Sequence, residues 1–183
     1  MTNLKTRLRG RCHKFGDEMH MDTKVMPYKY IAQHGFDAAA LVAHLFEEVV
    51  PEFHKRTEPG DLIIAGRNFA FGKAHPQGLI AIAALKLVVL CESMPFNSFR
   101  GAISRGIVCH RRCTGISALV NDGDTVEMDF ATGEFNNVTT GAVAAYPPVQ
   151  EDLLAMMLNG GMRPMLERWR DTHIGGRAAV KSS

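Results

Sequence analysis

Two continuous apolar runs, Leu62-Ile63-Ile64-Ala65 and Leu87-Val88-Val89-Leu90-Cys91, constrain the fold of this chain more than any other feature. A strand with no polar face has to be covered on both sides, which is the habit of a parallel sheet. Between them lies Leu79-Ile80-Ala81-Ile82-Ala83-Ala84-Leu85, apolar nearly all round, so it reads as a buried helix. A helix over residues 95–104 follows, stopped by Gly106, and then a third short strand, Ile107-Val108-Cys109. Strand, helix, strand, helix, strand predicts a small parallel α/β core with helices on both faces.

The other segments are of a different kind. Residues 11–15 read as a strand running into the turn Gly16-Asp17-Glu18, and residues 21–31 as irregular chain around Pro27. Asp37 is an N-cap for a helix with Leu41, Leu45 and Val49 on one face, ended by Pro51. Thr125-Val126-Glu127-Met128-Asp129-Phe130 alternates, turns at Ala131-Thr132-Gly133 and returns through residues 134–139, which predicts an antiparallel hairpin. A helix over 150–159 closes on Gly160-Gly161, and residues 163–170 read as another. Residues 1–9 are expected to be a flexible arm, 10–170 a single domain and 171–183 a flexible tail.

Composition excludes more than it assigns. Charged residues are 22% of the chain and the net charge is +2, so nothing calls for nucleic acid. No apolar run approaches the roughly 18 residues of a membrane span. The basic N-terminus has no apolar stretch behind it, so a cytoplasmic location with reduced thiols is expected. The four cysteines are Cys12, Cys91, Cys109 and Cys113; Cys91 and Cys109 fall in apolar strand-like runs, as small core residues do. Cys109-His110-Arg111-Arg112-Cys113 does not have a common zinc spacing, and its arginines repel a cation. A solvated basic face is expected there instead.

The chemistry concentrates in residues 66–76, Gly66-Arg67-Asn68-Phe69-Ala70-Phe71-Gly72-Lys73-Ala74-His75-Pro76. This is a strand-to-helix turn, where backbone N–H groups and a helix N-terminus favour an anion. It is not a nucleotide-binding P-loop: Arg67 stands at the first glycine's place, and Ala74 stands where that motif needs a hydroxyl.

An ordered series of short matches runs from Gly10 to Trp169. It includes Lys14-Phe15-Gly16-Asp17, Met21-Asp22-Thr23, Pro27-Tyr28-Lys29-Tyr30-Ile31, Pro59-Gly60-Asp61 and Ile64-Ala65-Gly66-Arg67-Asn68-Phe69. Asn121-Asp122-Gly123-Asp124-Thr125-Val126-Glu127, Val138-Thr139-Thr140-Gly141 and Asn159-Gly160-Gly161 complete it. In this the chain resembles the small subunits of 3-isopropylmalate dehydratase, the swivelling domain of the aconitase superfamily. The resemblance implies a β/β/α swivelling domain and a hydro-lyase, active only with a large subunit, that dehydrates or isomerises a small hydroxy-dicarboxylate. It implies no cofactor in this chain and a [4Fe–4S] cluster in the large subunit, with a heterodimer or heterotetramer as the assembly.

The turn departs from the family pattern Asn-Phe-Gly-Cys-Gly-Ser-Ser-Arg-Glu-His. Lys73 stands at the catalytic serine, Ala74 at the serine that contacts a substrate carboxylate, and His75 at the carboxylate-gripping arginine. The resemblance therefore implies Lys73 and His75 as catalytic groups. It implies Asp22, Lys29, Asn68, Gly72, Ala74 and His34 as substrate-binding positions, Lys29 and His34 lying in the family's substrate-selecting loop. Three other readings remain at this point. They are a sibling dehydratase using Lys73 on a different hydroxy acid, a non-catalytic assembly or regulatory subunit, and a phosphate-binding module built on the same turn.

Overall fold

The computed structural model describes residues 6–73 and 75–173. A seven-stranded sheet has the order β4-β3-β2-β1-β5-β6-β7. Strands β1 (Arg7–Lys14), β2 (Leu62–Ala65), β3 (Val88–Cys91) and β4 (Cys109–His110) are mutually parallel. Strand β1 also pairs antiparallel with β5 (Thr125–Asp129), which continues through β6 (Glu134–Asn137) to β7 (Val143–Ala145). The mixed α/β architecture expected from the apolar runs is therefore present, with β1 as the strand joining its two halves. Every residue of β2 and β3 is buried, so both faces of the parallel half are covered.

The described residues form six α-helices: α1 (Tyr28–His34), α2 (Ala38–Val42), α3 (Gln77–Ala84), α4 (Phe96–Ser104), α5 (Glu151–Leu158) and α6 (Met162–His173). Helix α2 packs on α3, and α4 packs on α5 and α6. Several boundaries differ from the sequence expectation. Arg7, Leu8 and Arg9, expected in a frayed arm, pair with β5, and Arg7 bonds Glu127, Asp129 and Glu134. The tail expected from residue 171 is helical as far as His173, and its remainder lies outside the described residues. The segment expected to be irregular contains a π-helical turn, Met21–Val25, and then α1.

Asp37 caps α2 as expected, its Oδ1 accepting from the N–H of Ala39 and Ala40 at 3.0 and 3.3 Å. The helix stops at Val42 rather than reaching Pro51. Beyond it the chain continues in turns, where Phe46 takes a left-handed φ of 57°. That bend brings its ring 4.3 Å from Phe15 and 5.0 Å from Phe53, in the fully buried core.

Candidate active-site turn

The chain leaves β2 through Gly66 and enters α3 at Gln77. Residues around the turn are pinned on several sides. Asp17 Oδ1 accepts the Arg67 N–H at 2.8 Å, and Asp17 Oδ2 accepts from Arg67 Nη2 at 2.7 Å. These bonds hold the Asp17 carboxyl below its ordinary pKa, the backbone N–H contributing most and the guanidinium next. A side chain at Gly66 would run into that carboxylate. Asn68, at a φ of 55°, donates its N–H to Ser93 Oγ at 2.9 Å and its amide to Glu18 Oε1 at 2.7 Å. Asn68 thus ties the turn down. Ala70 has a φ of 59°, and its carbonyl accepts from Ser98 Oγ of α4 at 2.5 Å.

Gly72 is a second tight point. Its φ is 113°, and a Cβ there would sit 2.6 Å from His20 Nε2. His20 had no signal of its own in the sequence, because its neighbour across the turn is 52 residues away. Its ring stands edge-on to Phe71 at 4.8 Å, and its Nδ1 accepts the Asp22 N–H at 3.2 Å. The Met21 N–H donates to Phe71 O at 2.7 Å. These contacts lay the π-helical turn against the 66–76 segment and deliver Asp22 to it, a use often seen for such turns at functional sites.

Asp22 Oδ1 lies 2.9 Å from His75 Nδ1. The Asp22 side chain is 11% exposed and the His75 side chain 32%. An ionised carboxylate only accepts, so His75 Nδ1 carries the hydrogen and Nε2 is left for another group. The ring of Tyr28 lies 5.7 Å from that of His75. Lys73 is exposed and makes no side-chain hydrogen bond or ion pair among the described residues. Beside His75 opens a cavity of about 240 Å³, whose lining includes Met21, Leu79, Ser98, Gly101 and Arg105.

Asp22, Gly72, Lys73 and His75 therefore come together around one turn, with Asn68 supporting it from behind. Ala74 lies outside the described residues. Lys29 and His34 belong to a second cluster. Lys29 Nζ pairs with Glu48 at 3.3 Å and lies 4.7 Å from the Tyr30 ring centroid. The rings of Tyr30 and His44 stack at 3.5 Å, His34 follows at 5.3 Å from His44, and His44 Nδ1 meets Glu47 Oε2 at 2.9 Å. Of the arm expected to select substrate, Tyr28 is the residue that meets the His75 ring.

The basic cluster at residues 110–112 is not a uniformly solvated face. His110 is buried, its Nε2 donates to Pro147 O at 2.8 Å and its Nδ1 accepts the Arg112 N–H at 3.1 Å. Arg111 lies over the Phe99 ring at 4.7 Å. All four cysteines are buried. Burial pushes the Cys12 and Cys91 thiols up to about 12. Among the described residues, no three His, Cys, Asp or Glu side chains are grouped to hold a metal. No described helix is long and apolar enough to cross a membrane.

The chain is thus a mixed α/β domain whose glycine-framed turn carries His75–Asp22 beside an exposed lysine. No protein-family model matches the chain. It is 34% identical over 165 residues to the 3-isopropylmalate dehydratase small subunit of Pyrobaculum aerophilum, covering 90% of this chain and 99% of that protein. The isopropylmalate/citramalate isomerase small subunit of Methanocaldococcus jannaschii is 30% identical over 166 residues, 90% of this chain and 96% of the relative. For the methanogen homoaconitase small subunit of Methanothermobacter thermautotrophicus the identity is 31% over 172 residues, 92% and 96% of the two chains. The crystal structure of 3-isopropylmalate dehydratase from Methanocaldococcus jannaschii superposes with a TM-score of 0.80 at 25% identity, covering 93% of this chain and 99% of that one. The chain belongs to the 3-isopropylmalate dehydratase small-subunit family.

Proposed function

We propose that this chain is the small subunit of a hydro-lyase that dehydrates or isomerises a small hydroxy-dicarboxylate, working with a large subunit. One observation carries the reading. The turn that the resemblance points toward substrate is framed by Gly66 and Gly72 and carries the His75–Asp22 pair beside exposed Lys73. An exposed, unfinished site is what a catalytic turn looks like before its covering polypeptide is added. The named relatives act on isopropylmalate, citramalate and homoaconitase substrates, so the shared chemistry is a hydroxy acid with more than one carboxylate.

Among the described residues the buried thiols form no ligand set for a metal, and a [4Fe–4S] cluster would be carried by the partner. When bound there, it supplies a Lewis acid that eases departure of the hydroxyl group. The work of this chain is proton transfer and orientation. Lys73 removes a proton from the carbon next to the hydroxyl-bearing one, and an alkene forms as hydroxide leaves. Reversing the steps at the other carbon re-adds water. His75, its ring fixed by Asp22, donates from Nε2 to a substrate carboxylate when doubly protonated.

The test is co-expression with the large subunit, anaerobic cluster reconstitution and ultraviolet detection of the alkene over a panel of hydroxy-diacids. Turnover is expected, and Lys73→Ala is expected to lower kcat about 100-fold or more, the usual size of a general-base contribution. Lys29→Ala should leave kcat near the parent value, since Lys29 is engaged by Glu48. A stable complex that turns over no diacid would favour a purely structural subunit instead.

A further inference from the structure

The arginine that grips a substrate carboxylate in the family pattern is replaced here by His75, yet the cavity beside His75 contains another guanidinium. Arg105 follows the last residue of α4. Ser98, Gly101 and Arg105 lie at i, i+3 and i+7 along one face of that helix. Ser98 fixes the orientation of this face, because its hydroxyl bonds Ala70 O inside the turn. Gly101 keeps the face open: a Cβ there would lie 2.9 Å from Leu79 Cδ1 and 3.6 Å from Arg105 Nη1. The Arg105 side chain folds back over this gap, with Nη1 donating to Gly101 O at 2.9 Å.

Arg105 forms no ion pair among the described residues, whereas Arg7, Arg56 and Arg67 each do. It is also half-buried, and burial lowers its pKa from the ordinary arginine value. A partly desolvated guanidinium that stays charged and lacks a carboxylate is costly to keep unless a ligand supplies one. The cavity holds about 240 Å³, space for a small diacid's terminal group rather than for a nucleotide.

We propose that Arg105 binds a carboxylate of the substrate in the cavity it shares with His75. This assignment rests on the hydro-lyase reading, and it makes α4 a second wall of the substrate site. Arg105 binds and orients; it takes no part in proton transfer.

The experiment uses the complex of both subunits with Arg105→Gln and Arg105→Lys. Succinate and butyrate, equal in chain length but differing by one carboxylate, are titrated calorimetrically against parent and variants. Turnover of the best hydroxy-diacid is measured in parallel. Succinate affinity and KM are each expected to worsen tenfold or more in Arg105→Gln, in line with a charge-assisted bond. Butyrate affinity and kcat should stay within about threefold, as expected when a bond common to ground and transition states is lost. Arg105→Lys should recover part of the succinate affinity, because the charge returns without the forked donors. Equal weakening of succinate and butyrate, or unchanged succinate affinity in Arg105→Gln, overturns the assignment. So does a parent complex that binds no succinate. A parent complex that binds succinate through Arg105 but turns over no diacid leaves the assignment standing and removes the hydro-lyase reading instead.

Discussion

Gly72→Ala is the sharpest probe of how the active-site turn is held. The backbone there has a φ of 113°, and an added Cβ would meet His20 Nε2 at 2.6 Å. Left-handed backbone at a non-glycine residue costs about 1–2 kcal/mol. Moving the His20 ring also weakens its edge-on contact with Phe71 and its bond from the Asp22 N–H, together about 1–2 kcal/mol. Against this, alanine restricts the unfolded chain by about 0.4–1 kcal/mol. The net cost is about 1–3.5 kcal/mol, or a Tm lower by about 2–14 °C for a chain of this size. Urea unfolding should show a lower midpoint with an unchanged slope. The double variant His20→Ala with Gly72→Ala removes the obstructing ring, so the two changes should couple by about 1 kcal/mol or more. A single-variant cost below about 0.5 kcal/mol, or strict additivity, would show that Gly72 and His20 do not press on each other.

Two further outcomes follow from buried groups. With the Cys12 and Cys91 thiols raised to about 12, and Cys109 and Cys113 raised as well by burial, all four stay protonated near neutrality. A thiol reagent at pH 8 should label none of them quickly in the native protein and all four after denaturation; rapid native labelling of one would contradict its burial. Burial pushes the His110 pKa below its ordinary 6.5. The unfolded chain therefore binds a proton that the folded one resists. The stability from His110 is present above about 6.5 and is lost as pH falls through the lower folded value. His110→Gln should flatten the fall of the urea midpoint between about pH 6.5 and 5; an unaltered slope would place the acid sensitivity elsewhere.

What could be read from the chain depended on how local each signal was. The β2 and β3 runs were legible because a doubly covered strand needs unbroken apolar residues, and nothing outside the run decides that. Strand β4 starts two positions later than expected: Cys109 and His110 pair with Val89 and Leu90, while Val108 contributes only its carbonyl, which accepts from the Val89 N–H at 2.9 Å. Three-residue β7 carries no pattern of its own and exists through its pairing with β6. The site divides the same way. Lys73 and His75 stand inside a recognisable strand-to-helix turn, so position alone marked them. Lys29 was marked only by resemblance to the family's substrate-selecting loop, and it pairs with a glutamate 19 residues on. His20 and Arg105 were invisible because their placement depends on how α4 and the π-helical turn dock, which no spacing rule encodes. The pairing of Asp22 with His75 joins residues 53 apart, and only resemblance to a family could anticipate it.

The contacts that shape the turn can be separated from the ionisable groups that it presents. Its shape is set by Asp17 against Gly66, Asn68 against Glu18 and Ser93, Ser98 against Ala70 O, and His20 against Gly72. None of these contacts involves the side chain of Lys73 or His75. Ala70, which stands at a glycine of the family pattern, takes a left-handed φ of 59°. Its cost of about 1–2 kcal/mol is one that several surrounding bonds can overcome. Frame and chemistry are thus carried by different residues. A serine can give way to Lys73 and an arginine to His75 while the backbone stays in place, provided that charge balance for the substrate is restored nearby. Arg105 is placed to restore it from the adjoining helix, which would make the altered turn and the second guanidinium parts of one substitution spread across two elements.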